Sequence, residues 1–211
     1  MTSKAICILF SESYGASPNE LAAERTLATV PFAGRYRLID FVLSSLVKAR
    51  IYDIGVITKE HYGSLMDHVG WGKDWDLDRK RGGLQILTPF TKAESAGTRN
   101  HSKVEALLSV KRYIEKVDQE YIILADTNMV MNIDFKSLLN YHIDNEADIT
   151  LLYQTKVCPS HTGLVVETDS SGRVEDAYYS TIQHTEPQNT VFGVYVLSKI
   201  LLHSLPDRAY T

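Results

Sequence analysis

The side chains best suited to chemistry follow two apolar runs of the sequence. Residues 11–15 come directly after the run 5–10, and Asp126 comes directly after the run 121–125. Carboxylates such as those of Asp126 and Asp134 are ligands that Mg2+ prefers. Lys103 stands at the predicted start of a helix, where an ammonium group could receive a phosphate. These residue types indicate a site for a metal ion and for phosphates.

Each of these residues also has an ordinary structural role, and the sequence leaves both roles open. Asp134 precedes a run with helical periodicity, so it could cap that helix instead of binding a metal ion. Lys103 could be solvated. Arg35, Arg37 and Asp40 could line a nucleotide pocket, whereas Arg37 and Asp40 could instead cap and pair at the start of a helix.

Apolar runs and helical periodicities predict the elements that must position these residues. Residues 5–10, 54–58 and 121–125 form continuous apolar runs, which is typical of inner parallel strands covered on both faces. Helical spacing of apolar residues occurs at 40–50, 64–69, 103–117 and 135–143. Further strands are predicted at 84–87, 149–154, 163–168, 174–178 and 191–197. The fold class is therefore α/β, a doubly wound, mostly parallel sheet with an antiparallel addition in the last third.

Composition and charge narrow the classes of function. The 211 residues include 22 basic and 26 acidic side chains, and 44% of the residues are hydrophobic, which is typical of a globular chain. A net charge of −4 without a basic run argues against a dedicated nucleic-acid-binding protein. The apolar runs are too short to span a membrane and no signal peptide is recognised. A cytoplasmic protein with a buried, reduced Cys7 is predicted.

One segment closely resembles a known family. Residues 30–41 read VPFAGRYRLIDF, which is similar to the signature of sugar-nucleotide pyrophosphorylases and, more specifically, of ADP-glucose pyrophosphorylase (glucose-1-phosphate adenylyltransferase). Further stretches match later segments of that family: WDLDR at 75–79, GG at 82–83, ILTP at 86–89, NIDF at 132–135 and GVYV at 193–196. The resemblance covers nearly the whole chain.

The resemblance implies a Rossmann-like nucleotidyltransferase domain over residues 1–211, with the family's carboxy-terminal left-handed β-helix outside it. It also implies a reaction of ATP with glucose 1-phosphate that releases pyrophosphate and forms ADP-glucose. Two polyanions meet in that reaction, so it needs amides and cations at the phosphates and Mg2+ held by a carboxylate. The implied nucleotide- or phosphate-binding candidates are Gly15, Arg25, Arg35, Arg37, Lys103 and Glu105, and the implied sugar-phosphate region contains Gly163 and Ser180.

The chain departs from the family where phosphates bind. The family has a Gly-Gly-x-Gly-x-Arg-Leu loop after the first strand, whereas this chain reads FSESYG and retains only Gly15. Glu12 in this loop would repel a triphosphate. A lysine that precedes the family signature is replaced by Leu27, although Arg25 is retained. The family's sugar-phosphate lysine falls near Ser180, so this cation is missing as well.

The metal carboxylate departs from the family pattern too. The family's aspartate lies in a Gly-Asp dipeptide at the end of a strand. Counting back from Asp134 places neutral Asn128 at that position, whereas counting forward from the run 121–125 places Asp126 there. Both alignments remain open. No catalytic set is intact, and Asp126, Asn128 and Asp134 are degenerate candidates. Asp126 is the candidate for a metal ion, and Mg2+ is expected only if activity remains.

These losses resemble those of the regulatory, D-type subunits of bacterial ADP-glucose pyrophosphorylase, which pair with a catalytic subunit in glycogen biosynthesis. The stretch RTLATVPFAG at residues 25–34 also looks like that subtype. A catalytically impaired regulatory subunit in a hetero-oligomer is predicted, with a pocket that could accept a nucleotide, a sugar phosphate or an effector. The alternatives are an active adenylyltransferase with displaced site residues and a purely structural oligomer partner.

Overall fold

The computed structural model describes residues 3–12, 20, 24–58, 62–88, 102–157, 163–181 and 186–204, and strands alternate with helices over most of this length. The strands are β1 (Ala5–Phe10), β2 (Pro31–Phe32), β3 (Tyr36–Arg37), β4 (Asp53–Ile57), β5 (Gly83–Leu87), β6 (Tyr121–Asp126), β7 (Ile149–Lys156), β8 (Gly163–Thr168), β9 (Val174–Ser180) and β10 (Gln188–Ser198). The helices are α1 (Leu38–Lys48), α2 (Gly63–Val69), α3 (Lys103–Ser109), α4 (Lys111–Glu115), α5 (Phe135–Asp144) and α6 (Lys199–Ser204).

Within the described residues, eight of these strands form one mixed sheet. Its order is β5-β4-β1-β6-β10-β8-β9, and β7 also pairs with β10. The pairs β5–β4, β4–β1 and β1–β6 are parallel. From β6 outward the pairing becomes antiparallel, first with β10 and then with β7, β8 and β9. The predicted α/β fold, with its antiparallel addition in the last third of the chain, is confirmed.

Strand β1 lies at the centre of the parallel part and is covered on both faces. All six of its residues are buried. Cys7 and Leu9 join a core cluster with α1, α2 and α5, whereas Ile6 and Ile8 join a second cluster with α3, α4 and α6. Alternate residues of one strand thus fill two separate cores, which explains why the run is apolar without interruption. The predicted neighbours of β1, namely β4 and β6, are confirmed.

Two helices differ from their predicted bounds by more than one residue. The predicted helix 103–117 divides into α3 and α4, because at Val110 the backbone N–H donates to the carbonyl of Leu107, three residues earlier. This is the tighter turn of a 3-10 helix. Helix α1 begins at Leu38 because the Asp40 carboxylate accepts the N–H of Arg37 at 2.9 Å. It ends before Arg50, whose left-handed φ of 61° does not continue a helix.

The burial of Cys7 follows the prediction. The residue is fully buried, and this burial raises the pKa of its thiol far above the ordinary value. Cys7 therefore behaves as a small apolar side chain with an unreactive thiol. In the part of the chain that the structure describes, no helix is both long and apolar enough to cross a membrane.

The loop before β5 depends on a glycine. Gly83 has a φ of 91°, and a Cβ at this position would run into the backbone carbonyl oxygen of Leu77. Leu77 is itself buried in the α1 core. The loop therefore closes against the sheet through a close backbone contact that only glycine permits.

We expect Gly83→Ala to lower the free energy of unfolding by about 2 kcal/mol or more, because it combines a positive φ with a backbone clash. Gly63→Ala at the start of α2 is the matched control, since no atom lies within 4 Å of its added Cβ. We expect this control to be neutral or to stabilise by up to about 1 kcal/mol. Urea unfolding of both variants measures the difference, and equal stabilities would contradict the role assigned to Gly83.

Candidate functional site

The carboxyl ends of β1, β4 and β6 meet at one edge of the sheet. Backbone pairing continues beyond the strands, since the N–H of Ser11 donates to the carbonyl of Ile57 at 3.1 Å. The N–H of Thr127 likewise donates to the carbonyl of Phe10 at 3.2 Å. Ligands of open α/β sheets bind beyond such ends. Asp126, as the last residue of β6, lies at this edge.

Asp126 forms an ion pair with Lys103. The ammonium Nζ of Lys103 lies 2.6 Å from Oδ2 of Asp126. The side chain of Asp126 is only 13% exposed and that of Lys103 is 31% exposed. The second carboxylate oxygen, Oδ1, is buried and has no hydrogen-bond partner among the described residues. One oxygen of the carboxylate is therefore occupied by a cation, and the other is closed to solvent.

Three neighbouring residues shape this ion pair. The Nζ of Lys103 lies 5.7 Å from the ring centre of Phe10 and 5.9 Å from that of Tyr195, distances at which an aromatic ring attracts a cation. Gly193 on β10 has a φ of 67°, and a Cβ there would run into the carboxylate of Asp126. The missing side chain of Gly193 thus provides the space that the Asp126 carboxylate occupies.

Burial and charge shift the pKa values of Asp126 and Tyr195. Burial raises the pKa of Asp126, and the charge and hydrogen bond of Lys103 oppose that rise. Burial, followed by the negative charge of Asp126, raises the pKa of Tyr195 to about 12. Tyr195 therefore keeps its phenolic proton at neutral pH, and it contributes a neutral ring beside the ion pair.

The other two candidate catalytic residues, Asp134 and Asn128, lie in different environments. Asp134 is the N-cap of α5, and its carboxylate accepts the N–H groups of Lys136 and Ser137 at 3.1 Å and the hydroxyl of Ser137 at 2.7 Å. The hydrogen bonds from Ser137 hold the pKa of Asp134 below its ordinary value. Asn128 is exposed in the loop after β6. The capping alternative for Asp134 is confirmed.

The arginine candidates near residue 35 also have structural contacts. The guanidinium of Arg37 donates to the carbonyl of Thr29 at 2.7 Å. The carboxylate of Asp40, which is largely buried, accepts the N–H of Arg37 and lies 2.6 Å from Nε2 of His68. These contacts fix the start of α1 against α2. Arg35 is exposed in the turn between β2 and β3.

The remaining residues that the sequence suggested for phosphate or sugar-phosphate binding lie in separate parts of the fold. Glu105 completes a capping box with Ser102 at the start of α3, since each backbone N–H donates to the other residue's side chain at 3.2 Å. Arg25 is half-buried before a short 3-10 helix, Leu27–Thr29. Gly163 and Ser180 are register partners on β8 and β9, and both are buried. Gly15 lies outside the described residues.

Lys103 occupies neither of the environments considered for it from the sequence. It is neither simply solvated nor turned toward an open phosphate site, because its ammonium is bound to Asp126. The partners are 23 residues apart in the sequence, and no short-range pattern predicts their contact. Asp126 could be recognised as a candidate because it follows a buried strand in the sequence. Its ion pair with Lys103 could not be predicted, because it forms only in the folded chain.

Two hydroxyl groups lie at the same edge. Ser11 belongs to the segment 11–15 that the sequence indicated, whereas Thr58 was not singled out as a site residue. Ser11 and Thr58 follow β1 and β4 directly, and both are almost fully buried. Their hydroxyl oxygens have no hydrogen-bond partner among the described residues. Most buried hydroxyls in proteins have a hydrogen-bond partner, so both groups could bond to a polar group at this edge. Their position after two apolar runs was the available signal.

The residues at this edge do not suit a magnesium ion. Mg2+ requires six oxygen ligands in near-octahedral geometry and usually retains several waters. Asp126 has one oxygen bound to an ammonium group and the other buried, and Asp134 uses both oxygens to cap α5. Over the described part of the chain, no group of three or more His, Cys, Asp and Glu side chains could hold a metal ion.

Comparisons with known proteins agree with this architecture. The family model described as Nucleotidyl transferase matches residues 20–203. The "Glycogen biosynthesis protein GlgD" of Geobacillus stearothermophilus is 41% identical over 153 residues, which are 71% of this chain and 43% of that protein. The protein of the same name from Bacillus subtilis is 35% identical over 154 residues, or 70% of this chain and 42% of that protein.

A relative with a different name covers more of the chain. The "Glucose-1-phosphate adenylyltransferase" of Lachnospira eligens is 30% identical over 207 residues, which are 95% of this chain and 47% of that protein. The chain thus spans about half the length of the curated relatives it matches. Because the family model matches most of its length and its mixed sheet has the predicted α/β architecture, the chain belongs to the nucleotidyl transferase family, and its relatives include GlgD and glucose-1-phosphate adenylyltransferase proteins.

Proposed function

We propose that this chain acts in glycogen biosynthesis as a regulatory subunit of glucose-1-phosphate adenylyltransferase and has little or no activity of its own. One observation carries the proposal. At the two positions where the family resemblance expects phosphate-binding lysines, the chain has Leu27 and Ser180. Leu27 is half-buried in a 3-10 helix, and the side chain of Ser180 lies buried at the end of β9.

The energetic consequence of these replacements is large. Adenylyl transfer from ATP to a sugar phosphate brings two polyanions together, and fixed cations lower the cost of that approach. Removing one preorganised phosphate or oxyanion donor lowers the rate by about 10²–10³-fold, or about 3–4 kcal/mol. Two such losses are not strictly additive, but together they leave a small fraction of the activity of a complete site.

The relatives support the regulatory assignment over the catalytic one. The two proteins named GlgD are 41% and 35% identical to this chain. The glucose-1-phosphate adenylyltransferase of Lachnospira eligens is 30% identical. Over the matched stretches, identity to these two GlgD proteins thus exceeds identity to this adenylyltransferase. The stretch 25–34, which resembles the regulatory subtype, agrees with this difference.

The retained family segment provides a surface for a partner. Residues 31–37 form the hairpin β2–β3, and its aromatic side chains Phe32 and Tyr36 are 43% and 47% exposed. Both rings pack against the ring of Phe41 on α1, with centroid distances of 5.4 and 5.8 Å. An exposed aromatic hairpin that packs against α1 is suited to a protein interface. We assign it to contact with a catalytic subunit.

The first test is the activity of the chain itself. With ATP, glucose 1-phosphate and MgCl2, we expect pyrophosphate release at less than about one hundredth of the rate of a catalytic glucose-1-phosphate adenylyltransferase. The single variants Leu27→Lys and Ser180→Lys should recover little, because each restores one cation and leaves the other missing. Circular dichroism verifies that the variants are folded. Robust turnover by the unmodified chain would refute the proposal.

The second test concerns the partner. The chain is co-expressed with a catalytic glucose-1-phosphate adenylyltransferase, and co-purification and the kinetics of the catalytic protein are measured. We expect association and a change in rate or effector response, since regulation requires different contacts in two states of the assembly. Tyr36→Ser should weaken the association several-fold, whereas Tyr141→Ser, a tyrosine of similar exposure on α5, should not.

Three results of this test separate the alternatives. Absence of any association would refute the regulatory proposal. Association without a kinetic change at any effector concentration would favour a purely structural partner. Equal effects of Tyr36→Ser and Tyr141→Ser would leave the partner in place but contradict the assignment of the hairpin as its contact.

A further inference from the structure

The ammonium group of Lys103 lies where a metal ion would have to approach Asp126. We propose that Lys103 is a resident cation that replaces a divalent ion at the carboxyl edge of the sheet, so that Asp126 binds no Mg2+ or Mn2+ while this lysine is present. The proposal concerns the ion pair alone. It does not depend on whether the chain regulates a partner.

Access to the carboxylate is the first argument. Nζ of Lys103 lies 2.6 Å from Oδ2 of Asp126, which is direct hydrogen-bond contact. A magnesium ion would have to lie about 2.0–2.1 Å from the same oxygen and would strongly repel an ammonium group so close by. Oδ1 is buried, so an ion that retains its waters cannot reach it. Both oxygens are therefore closed to a hydrated divalent ion.

The ammonium group is held in place by several neighbours rather than by Asp126 alone. The rings of Phe10 and Tyr195 lie on β1 and β10 at 5.7 and 5.9 Å from Nζ. The capping box between Ser102 and Glu105 fixes the backbone of Lys103 at the first position of α3. A lysine in the first turn of a helix faces the positive end of the helix dipole. The contact with Asp126 offsets this repulsion.

The charge balance gives the replacement a consequence for ligands. A divalent ion on Asp126 would leave a net positive charge at the edge, which attracts phosphates. A lysine leaves a neutral pair. The edge therefore lacks a divalent cation that could bridge two phosphate groups. The ion pair with Lys103 nevertheless gives the buried Asp126 carboxylate a partner. The lysine thus preserves the stability of the fold without supplying the chemistry of a metal ion.

The experiment uses the full chain in four forms: unmodified, Lys103→Met, Asp126→Asn and the double variant. Lys111→Met is the matched control, because Lys111 also begins a helix and has no ion pair among the described residues. Thermal unfolding is recorded in EDTA and in millimolar MnCl2. Binding of Mn2+ is measured in parallel from the electron paramagnetic resonance signal of the free ion.

We expect the unfolding temperature of the unmodified chain to be the same in EDTA and in MnCl2. In EDTA, Lys103→Met should lower it by about 5 °C or more, because Asp126 remains buried without a partner. MnCl2 should restore part of that loss and Mn2+ should bind. The double variant should unfold at a higher temperature than Lys103→Met and show no response to Mn2+. Lys111→Met should behave like the unmodified chain.

Each opposite result would overturn the proposal. If the unmodified chain binds Mn2+ and Asp126→Asn abolishes that binding, Lys103 does not exclude the ion. If Lys103→Met is no less stable than Lys111→Met, the ion pair does not hold the carboxylate. If Lys103→Met is destabilised but neither binds Mn2+ nor regains stability with it, the lysine is a structural partner of Asp126 and not a replacement for a metal ion.

Discussion

Strand β1 must be buried on both faces and paired on both edges, and the other features of the chain depend on this constraint. Its alternate side chains fill two cores, while β4 and β6 align with it in parallel register. Parallel register brings the carboxyl ends of three strands to one edge. Ser11, Thr58 and Asp126 lie at the same edge because of that register, although they are far apart in the sequence.

The same constraint determines the electrostatics of the edge. Asp126 closes β6 beside the ring of Phe10 and below the glycine of β10, so its carboxylate is largely removed from water. A buried carboxylate needs a positive partner. Lys103 supplies it from the first turn of α3. The fold thus places a carboxylate at the edge of the sheet where ligands bind in α/β folds, and Lys103 neutralises its charge inside the protein.

Local sequence pattern was sufficient to predict the three strands at the centre of the sheet, whose residues are mostly buried. The apolar runs of β1, β4 and β6 predicted three inner strands, and the residue before α5 was recognised as a possible cap because Asp134 stands at the right position. Helical periodicity did not reveal the break at Val110, since the apolar spacing on both sides of it continues. At Val110 the backbone hydrogen-bonding pattern changes, and the spacing of apolar residues carries no information about that pattern.

The candidate site could be predicted only in part, because its contacts are long-range. The position of Asp126 followed from its strand, but its pairing with Lys103 joins an aspartate at a strand end to the first residue of a distant helix. The need for glycine at position 193 arises from the Asp126 carboxylate on the neighbouring strand. The family resemblance pointed to the segment that contains Asp126, yet it could not show that a lysine side chain would lie beside the carboxylate.

The most direct test of the account is an anomalous diffraction measurement on crystals of this chain soaked in MnCl2. If the ammonium group of Lys103 takes the place of a metal ion, we expect no anomalous peak within coordination distance of either oxygen of Asp126. Nζ of Lys103 should then be in hydrogen-bond contact with Oδ2. A manganese peak on the Asp126 carboxylate, with the side chain of Lys103 displaced, would contradict the account.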